Sequence, residues 1–254
     1  MPSDGILKVL FIGDLIGRPG RRALTELLPG IKGEYGIGFT IANCENSAGG
    51  FGVTRKIVDE LTELGVDVLT SGNHIWDRRE VVEDLDSFTN VLRPYNYPPG
   101  LPGRGWATFE APGGARVAVV NLQGRVFMRP IDCPFRAADS LLENLTEKII
   151  IVDMHAEATS EKVAMGWHLD GRVSAVIGTH THVQTSDERV LPGGTAYVTD
   201  VGMTGPHDSV IGIDKQAIIR RFLTEVPSRF EVGKEDVRLS GLVTAIDTAT
   251  GRAV

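Results

Sequence analysis

The chain has 254 residues, 42% hydrophobic and 23% charged, with 26 Lys+Arg against 33 Asp+Glu and a formal charge of -7. This composition excludes a disordered chain, and 30 glycines without a G-X-Y period exclude collagen. The acidity argues against a broad nucleic-acid-binding face, although a local metal site can reverse the field where it sits.

In chain order, short apolar runs alternate with amphipathic stretches. Strands are predicted at 7–12, 38–43 and 66–71, with helices at 21–28 (Pro19 just ahead of the start) and 54–64. Thr54 is placed to cap the second helix and Gly65 to end it. A helix at 79–85 leads into 90–116, which holds five prolines and five glycines and reads as a long loop with a short hairpin around 106–110. Strands at 117–122, 149–154, 173–178 and 196–199 alternate with helices at 135–148, 160–169 and 214–223, and a last strand covers 239–246. Continuous apolar runs such as Val117-Ala118-Val119-Val120 suit strands covered on both faces. Alternation of this kind predicts an α/β fold with a mainly parallel sheet, and a single domain over 1–254.

No apolar run approaches the ~18 residues of a membrane span. No basic start and long apolar core mark a signal peptide, so the expectation is a cytoplasmic protein without a membrane partner. Cys44 and Cys133 lie outside any C-x-x-C pair, and both are expected to be buried free thiols.

Ligands in open α/β sheets bind beyond the carboxyl ends of the strands. Those ends carry Asp14, then Glu45 and Asn46, then Asn73 and His74, then Asp153 and His155, then His180 and His182. Carboxylates, amides and imidazoles together form a metal-ligand inventory. In His180-Thr181-His182, alternation along a strand would turn both rings to one side. Other chemistries lack their signatures: there is no G-x-S-x-G elbow, no P-loop, and His155-Ala156-Glu157 has no P-C-x-x-C partner of the zinc deaminases.

Asp14, Glu45-Asn46, Gly72-Asn73-His74, His155 and His180-Thr181-His182, in this order, resemble the calcineurin-like metallophosphoesterase superfamily. The segments 44–50, 121–128 and 199–205 resemble its YmdB-type group, known as 2′,3′-cyclic-nucleotide 2′-phosphodiesterases. The resemblance implies a four-layer α/β/β/α metallophosphoesterase sandwich and two divalent or trivalent metal ions, iron or manganese. It implies that Asp14, Glu45, Asn46 and His182 hold the first ion, and Glu45, Asn73, His155 and His180 the second. Two departures from the wider superfamily are visible: Ile16 stands where a histidine is usual, and Glu45 replaces the bridging aspartate.

The implied activity is hydrolysis of 2′,3′-cyclic or 3′,5′-cyclic nucleotides, with RNA ends as a further substrate class. A metal-bound hydroxide would attack phosphorus, and His74 is expected to act as general acid toward the leaving oxygen. Arg125 and His207 are candidate substrate contacts, and Asp200 a candidate outer partner of a ligand histidine. His168 reads as structural. Trp76 and Phe127 read as core residues rather than nucleobase platforms. The alternative is a regulatory nucleotide- or RNA-binding protein that uses the metal site with slow turnover. A homo-oligomer is compatible with the sequence.

Overall fold

The computed structural model describes residues 5–254. Residues 1–4, part of the N-terminus that lacks a basic start, lie outside the described residues. Strand β1 (Ile6–Ile12) is followed by the two-residue β2 (Asp14–Leu15), helix α1 (Gly17–Tyr35), β3 (Phe39–Asn43), α2 (Arg55–Glu63), β4 (Val68–Thr70) and α3 (Arg79–Asp84). The second half runs β5 (Trp106–Glu110), β6 (Arg116–Gln123), α4 (Pro134–Leu142), β7 (Ile149–His155), α5 (Thr159–Leu169), β8 (Ala175–Thr179), β9 (Arg189–Val190), β10 (Ala196–Val198) and β11 (Met203–Pro206). It closes with α6 (Lys215–Thr224), β12 (Val237–Arg238) and β13 (Gly241–Asp247).

These strands form not one sheet but three. The first has the order β13-β1-β3-β4, the second β5-β6-β7-β8-β10-β9, and a small third β12-β11-β2. The central pairs are parallel; β13 pairs antiparallel with β1, and β5 antiparallel with β6. One apolar cluster joins Val9, Phe11 and Ile41 of the first sheet to Val119, Ile151 and Ile177 of the second. A second joins Leu10 and Leu69 to Leu24 of α1, Leu61 of α2 and Val81 of α3. A third joins Val120, Val152 and Val176 to Leu141 of α4 and Met165 of α5. Both faces of each large sheet are therefore packed, which is why β6 and β7 read as unbroken apolar runs. Among the described residues, no helix is long and apolar enough to cross a membrane.

Helix α1 is much longer than the predicted 21–28. It passes through Pro29 and ends at Gly36, which has φ 66° and donates to the Lys32 carbonyl. Proline removes one helical bond; burial of Leu28 before it and packing of Ile31 after it offset that loss. Pro19 lies within the first turn rather than ahead of it. Helix α4 stops at Leu142, short of the predicted 148. Thr54 caps α2 through its side chain, as expected. Cys44 is buried, but Cys133 is only half-buried, because it sits at the start of α4 on a cavity wall.

Candidate metal centre

The site lies where β3, β4, β7 and β8 end. Its parts come from both large sheets and from β2. Asp14, Glu45 and His155 have no solvent exposure, and Asn46 has 2%.

His155 is oriented by a relay. Thr179 Oγ1 donates to Asp153 Oδ1 at 2.6 Å, so it accepts from His155 Nδ1 at 2.9 Å. Burial pushes the Asp153 carboxyl up to about 6. With Nδ1 so engaged, His155 Nε2 faces inward, 3.0 Å from Glu45 Oε1, 3.2 Å from Asn73 Oδ1 and 3.0 Å from His180 Nδ1. A single ring nitrogen thus meets three further lone-pair donors, and one proton cannot satisfy them all. Glu45, His155 and His180 each offer a ligand atom within 4.8 Å of the others.

The electrostatics agree with that crowding. Burial alone would lower the His155 pKa, yet the Glu45 carboxylate outweighs it and lifts the ring to about 9. Burial would raise Glu45, but His155 holds it well below the usual carboxylate range. Burial, then the neighbouring His155, presses His180 down to about 3.

Asp14 and His182 form the other side. The His180 N–H donates to Asp14 Oδ2 at 3.2 Å, while Asp14 Oδ1 is buried with no hydrogen-bond partner. His182 Nδ1 donates to the Ile211 carbonyl at 2.9 Å, leaving Nε2 facing inward, 3.9 Å from Asp14 Oδ1. The Asn46 amide nitrogen lies 3.0 Å from that Nε2 and 3.4 Å from Glu45 Oε1. A half-turn of the amide presents its oxygen to the same point. Burial raises the Asp14 carboxyl, chiefly by desolvation. An orphaned buried carboxylate oxygen beside inward-facing imidazoles and a mixed N/O donor set fits a divalent cation.

Strand alternation is not what brings the two histidines together. β8 ends at Thr179, and His180 and His182 follow it with φ of 99° and 65°. Such left-handed backbone is costly outside glycine. Between them Thr181 is pinned by Asp200 Oδ2, which accepts from its N–H at 3.1 Å and its hydroxyl at 2.7 Å. Buried Lys162 holds the same carboxylate at 2.6 Å. Asp200 therefore acts on the backbone between the histidines and touches neither ring. Asp153 is among the strand-end residues of the sequence, but its role toward His155 is not legible there, and neither Thr179 nor Lys162 carries a sequence signal.

Glycines before three site segments serve close approach. A Cβ on Gly72 would strike the His155 ring, one on Gly13 the Gly202 carbonyl, and one on Gly178 the Thr199 carbonyl.

His74 borders the cluster. Its N–H donates to Glu45 Oε2 at 3.0 Å, its Nδ1 lies 2.7 Å from Asp77 Oδ2, and its ring meets Phe51 edge-on at 5.0 Å. A cavity of about 600 Å³ covers this floor, with Glu45, Asn46, His74, His180 and His182 below and Phe51, Ile218, Phe222 and Phe230 in the wall.

Arg125 and His207 do not line this cavity. Arg125 belongs to a different one, and His207 Nε2 lies 3.4 Å from the Met203 carbonyl. His168 pairs with Asp139 at 2.9 Å, away from the site. Trp76 stacks on Tyr97 at the core edge. Phe127 is not a core residue: it is 89% exposed, on a backbone with φ 61°.

The family model for YmdB-like proteins matches residues 10–254. The chain belongs to the YmdB-like family. Over 250 residues it is 50% identical to a Bacillus subtilis protein named 2′,3′-cyclic-nucleotide 2′-phosphodiesterase, covering 98% of this chain and 94% of that one. A crystal structure of a hypothetical protein from Thermus thermophilus superposes with TM-score 0.91 at 47% identity, covering 98% of this chain and 96% of that one. A Mycoplasma pneumoniae structure described as a novel phosphatase gives TM-score 0.93 at 35% identity, covering 98% and 91%. YmdB-like proteins are thus similar to this chain along nearly its whole length.

Proposed function

We propose that this chain is a metal-dependent phosphodiesterase that opens the cyclic phosphate of 2′,3′-cyclic nucleotides, with 3′,5′-cyclic nucleotides and RNA ends as further substrates. The observation that carries the proposal is the cluster at and beneath the cavity floor, where Glu45, His155 and His180 converge within 4.8 Å beside an unpartnered Asp14 oxygen. The half-identity to a protein named for that reaction supports it.

In this scheme Asp14, Asn46 and His182 hold one ion and Asn73, His155 and His180 a second, with Glu45 shared. Two such cations, iron or manganese, would supply a nucleophilic water at neutral pH and neutralise charge on the phosphoryl oxygens. The chain's own residues do the rest. Asp153 and Thr179 fix the His155 tautomer, and Ile211 fixes that of His182, so that each presents a lone pair inward. Asp77 engages His74 Nδ1, which leaves Nε2 to protonate the departing ribose oxygen as general acid. Phe51 and Phe230, with ring centroids 6.1 Å apart, supply an aromatic wall for the nucleobase.

The fold assigned to this chemistry is one domain over 1–254 with four layers, α/β/β/α. The three apolar clusters, one between the sheets and one under each helical face, support that layering.

A substrate panel tests the function. Protein loaded with manganese is offered bis-p-nitrophenyl phosphate, 2′,3′-cyclic AMP and 3′,5′-cyclic AMP, with and without chelator. Turnover that chelation abolishes is the expected result. Metal-replete protein that binds nucleotide but hydrolyses none of them would instead make it a nucleotide sensor.

A further inference from the structure

A second cavity, of about 740 Å³, shares no lining residue with the first. Arg93, Arg104, Arg125 and Arg136 line it, against one carboxylate, Asp132. In a chain where acids outnumber bases, this is a local reversal of sign. Among the described residues none of the four arginines is in an ion pair, whereas Arg21, Arg55, Arg116, Arg172 and Arg238 all are.

Arg93 is the informative member. It is 8% exposed, and its guanidinium donates to the carbonyls of Pro94 (2.9 Å), Leu101 (3.3 Å) and Pro102 (2.9 Å). Carbonyl dipoles satisfy its N–H groups but leave its charge in place. The other buried cation described above, Lys162, has Asp200 for a partner. Arg93 also donates its backbone N–H to the Arg104 carbonyl at 3.0 Å, which keeps two of the cations on neighbouring backbone. Four like charges against a single lining carboxylate repel one another, and an anion relieves that cost. Tyr95 and Trp106, both half-buried, add aromatic surface to the same wall.

We propose that this cavity binds a phosphorylated, aromatic ligand of the nucleotide class. Arg104, Arg125 and Arg136 contact the phosphate within the field of Arg93, and the base lies against Tyr95 or Trp106. Guanidinium forks suit phosphate oxygens, and aromatic faces suit any base. The volume lies within the range of small-molecule sites. The proposal rests on none of the catalytic assignments.

Calorimetric titration of the full chain held in chelator tests it, with adenosine 5′-monophosphate and inorganic phosphate as probes. The nucleotide should bind saturably, about tenfold or more tighter than phosphate because of stacking. The double variant Arg104→Ala, Arg136→Ala should weaken it about tenfold or more, since each lost charge-assisted bond is worth a good part of a decade. Both side chains are exposed, so the fold is expected to survive, which a thermal melt checks. His180→Ala should leave the affinity unchanged. Absent binding, equal affinity for phosphate, indifference to the arginine changes, or loss on His180→Ala would each overturn the proposal.

Discussion

At the scale of single residues, the proposed scheme separates groups that hold a cation from a group that handles a proton. His74 touches Glu45 only through its backbone N–H, and its ring turns to Asp77 and Phe51. His74→Ala should therefore lower turnover by about 10²–10⁴-fold while metal content, read by elemental analysis, stays at the wild-type level. Glu45→Ala removes the shared carboxylate, and both ions should be lost in the same measurement. Metal uptake should also depend on pH, with a sign set by His155. Its ring is lifted to about 9, so below that pH the metal-free centre carries a proton that a cation must displace. Glu45, held low, and His180, pressed to about 3, contribute none of this near neutrality. Affinity should rise about tenfold per pH unit up to about 9, with one proton released near pH 7. Calorimetry in buffers of different ionisation enthalpy counts that proton, and a count of zero would mean that His155 is already neutral when the ion binds or is not a ligand.

At the scale of elements, what the sequence discloses depends on how local the cause is. β6 and β7 were legible because strands covered on both faces are apolar throughout. The candidate ligand residues were legible as polar groups clustered after such runs. The bend that presents His180 and His182 was not, because its cause is distant: Thr181 is held by Asp200, and Asp200 by Lys162 of α5. Separation into two large sheets was hidden for the same reason, since each strand reports its own burial and not its partner. The Lys162–Asp200 pair carries a prediction at this scale. Lys162→Met fills the volume but leaves a buried carboxylate unpaired, a loss of about 3–5 kcal/mol for a broken buried pair. Urea unfolding should show it, and the metal on the His180–His182 side should be weakened as the bend loosens.

At the scale of the whole molecule, the centre sits on a seam. Glu45 and Asn73 follow strands of the first sheet, whereas His155 and His180 come from the second. A cation bound there ties the sheets together and favours the native state by mass action. At a hundredfold excess over its dissociation constant, one ion adds about 2.7 kcal/mol, a rise of about 5–10 °C in melting temperature for a chain of this size. Thermal melts with and without chelator measure it. No difference between them would mean that the native chain holds no ion, or that the unfolded chain binds it equally well.

The antiparallel pairing of β13 with β1 has a consequence for synthesis. Residues Gly241–Asp247 pair with Ile6–Ile12, far upstream in the sequence. On the ribosome, β1 and β3 emerge early, but one edge of β1 waits until residues 241–247 have been translated. The second sheet draws only on residues 106–198 and is complete well before then. The half that contributes His155 and His180 can therefore settle while the half that contributes Glu45 still lacks a neighbour. A truncated product would carry an open β1 edge and an unfinished centre, and so would be both inactive and open to pairing with another chain.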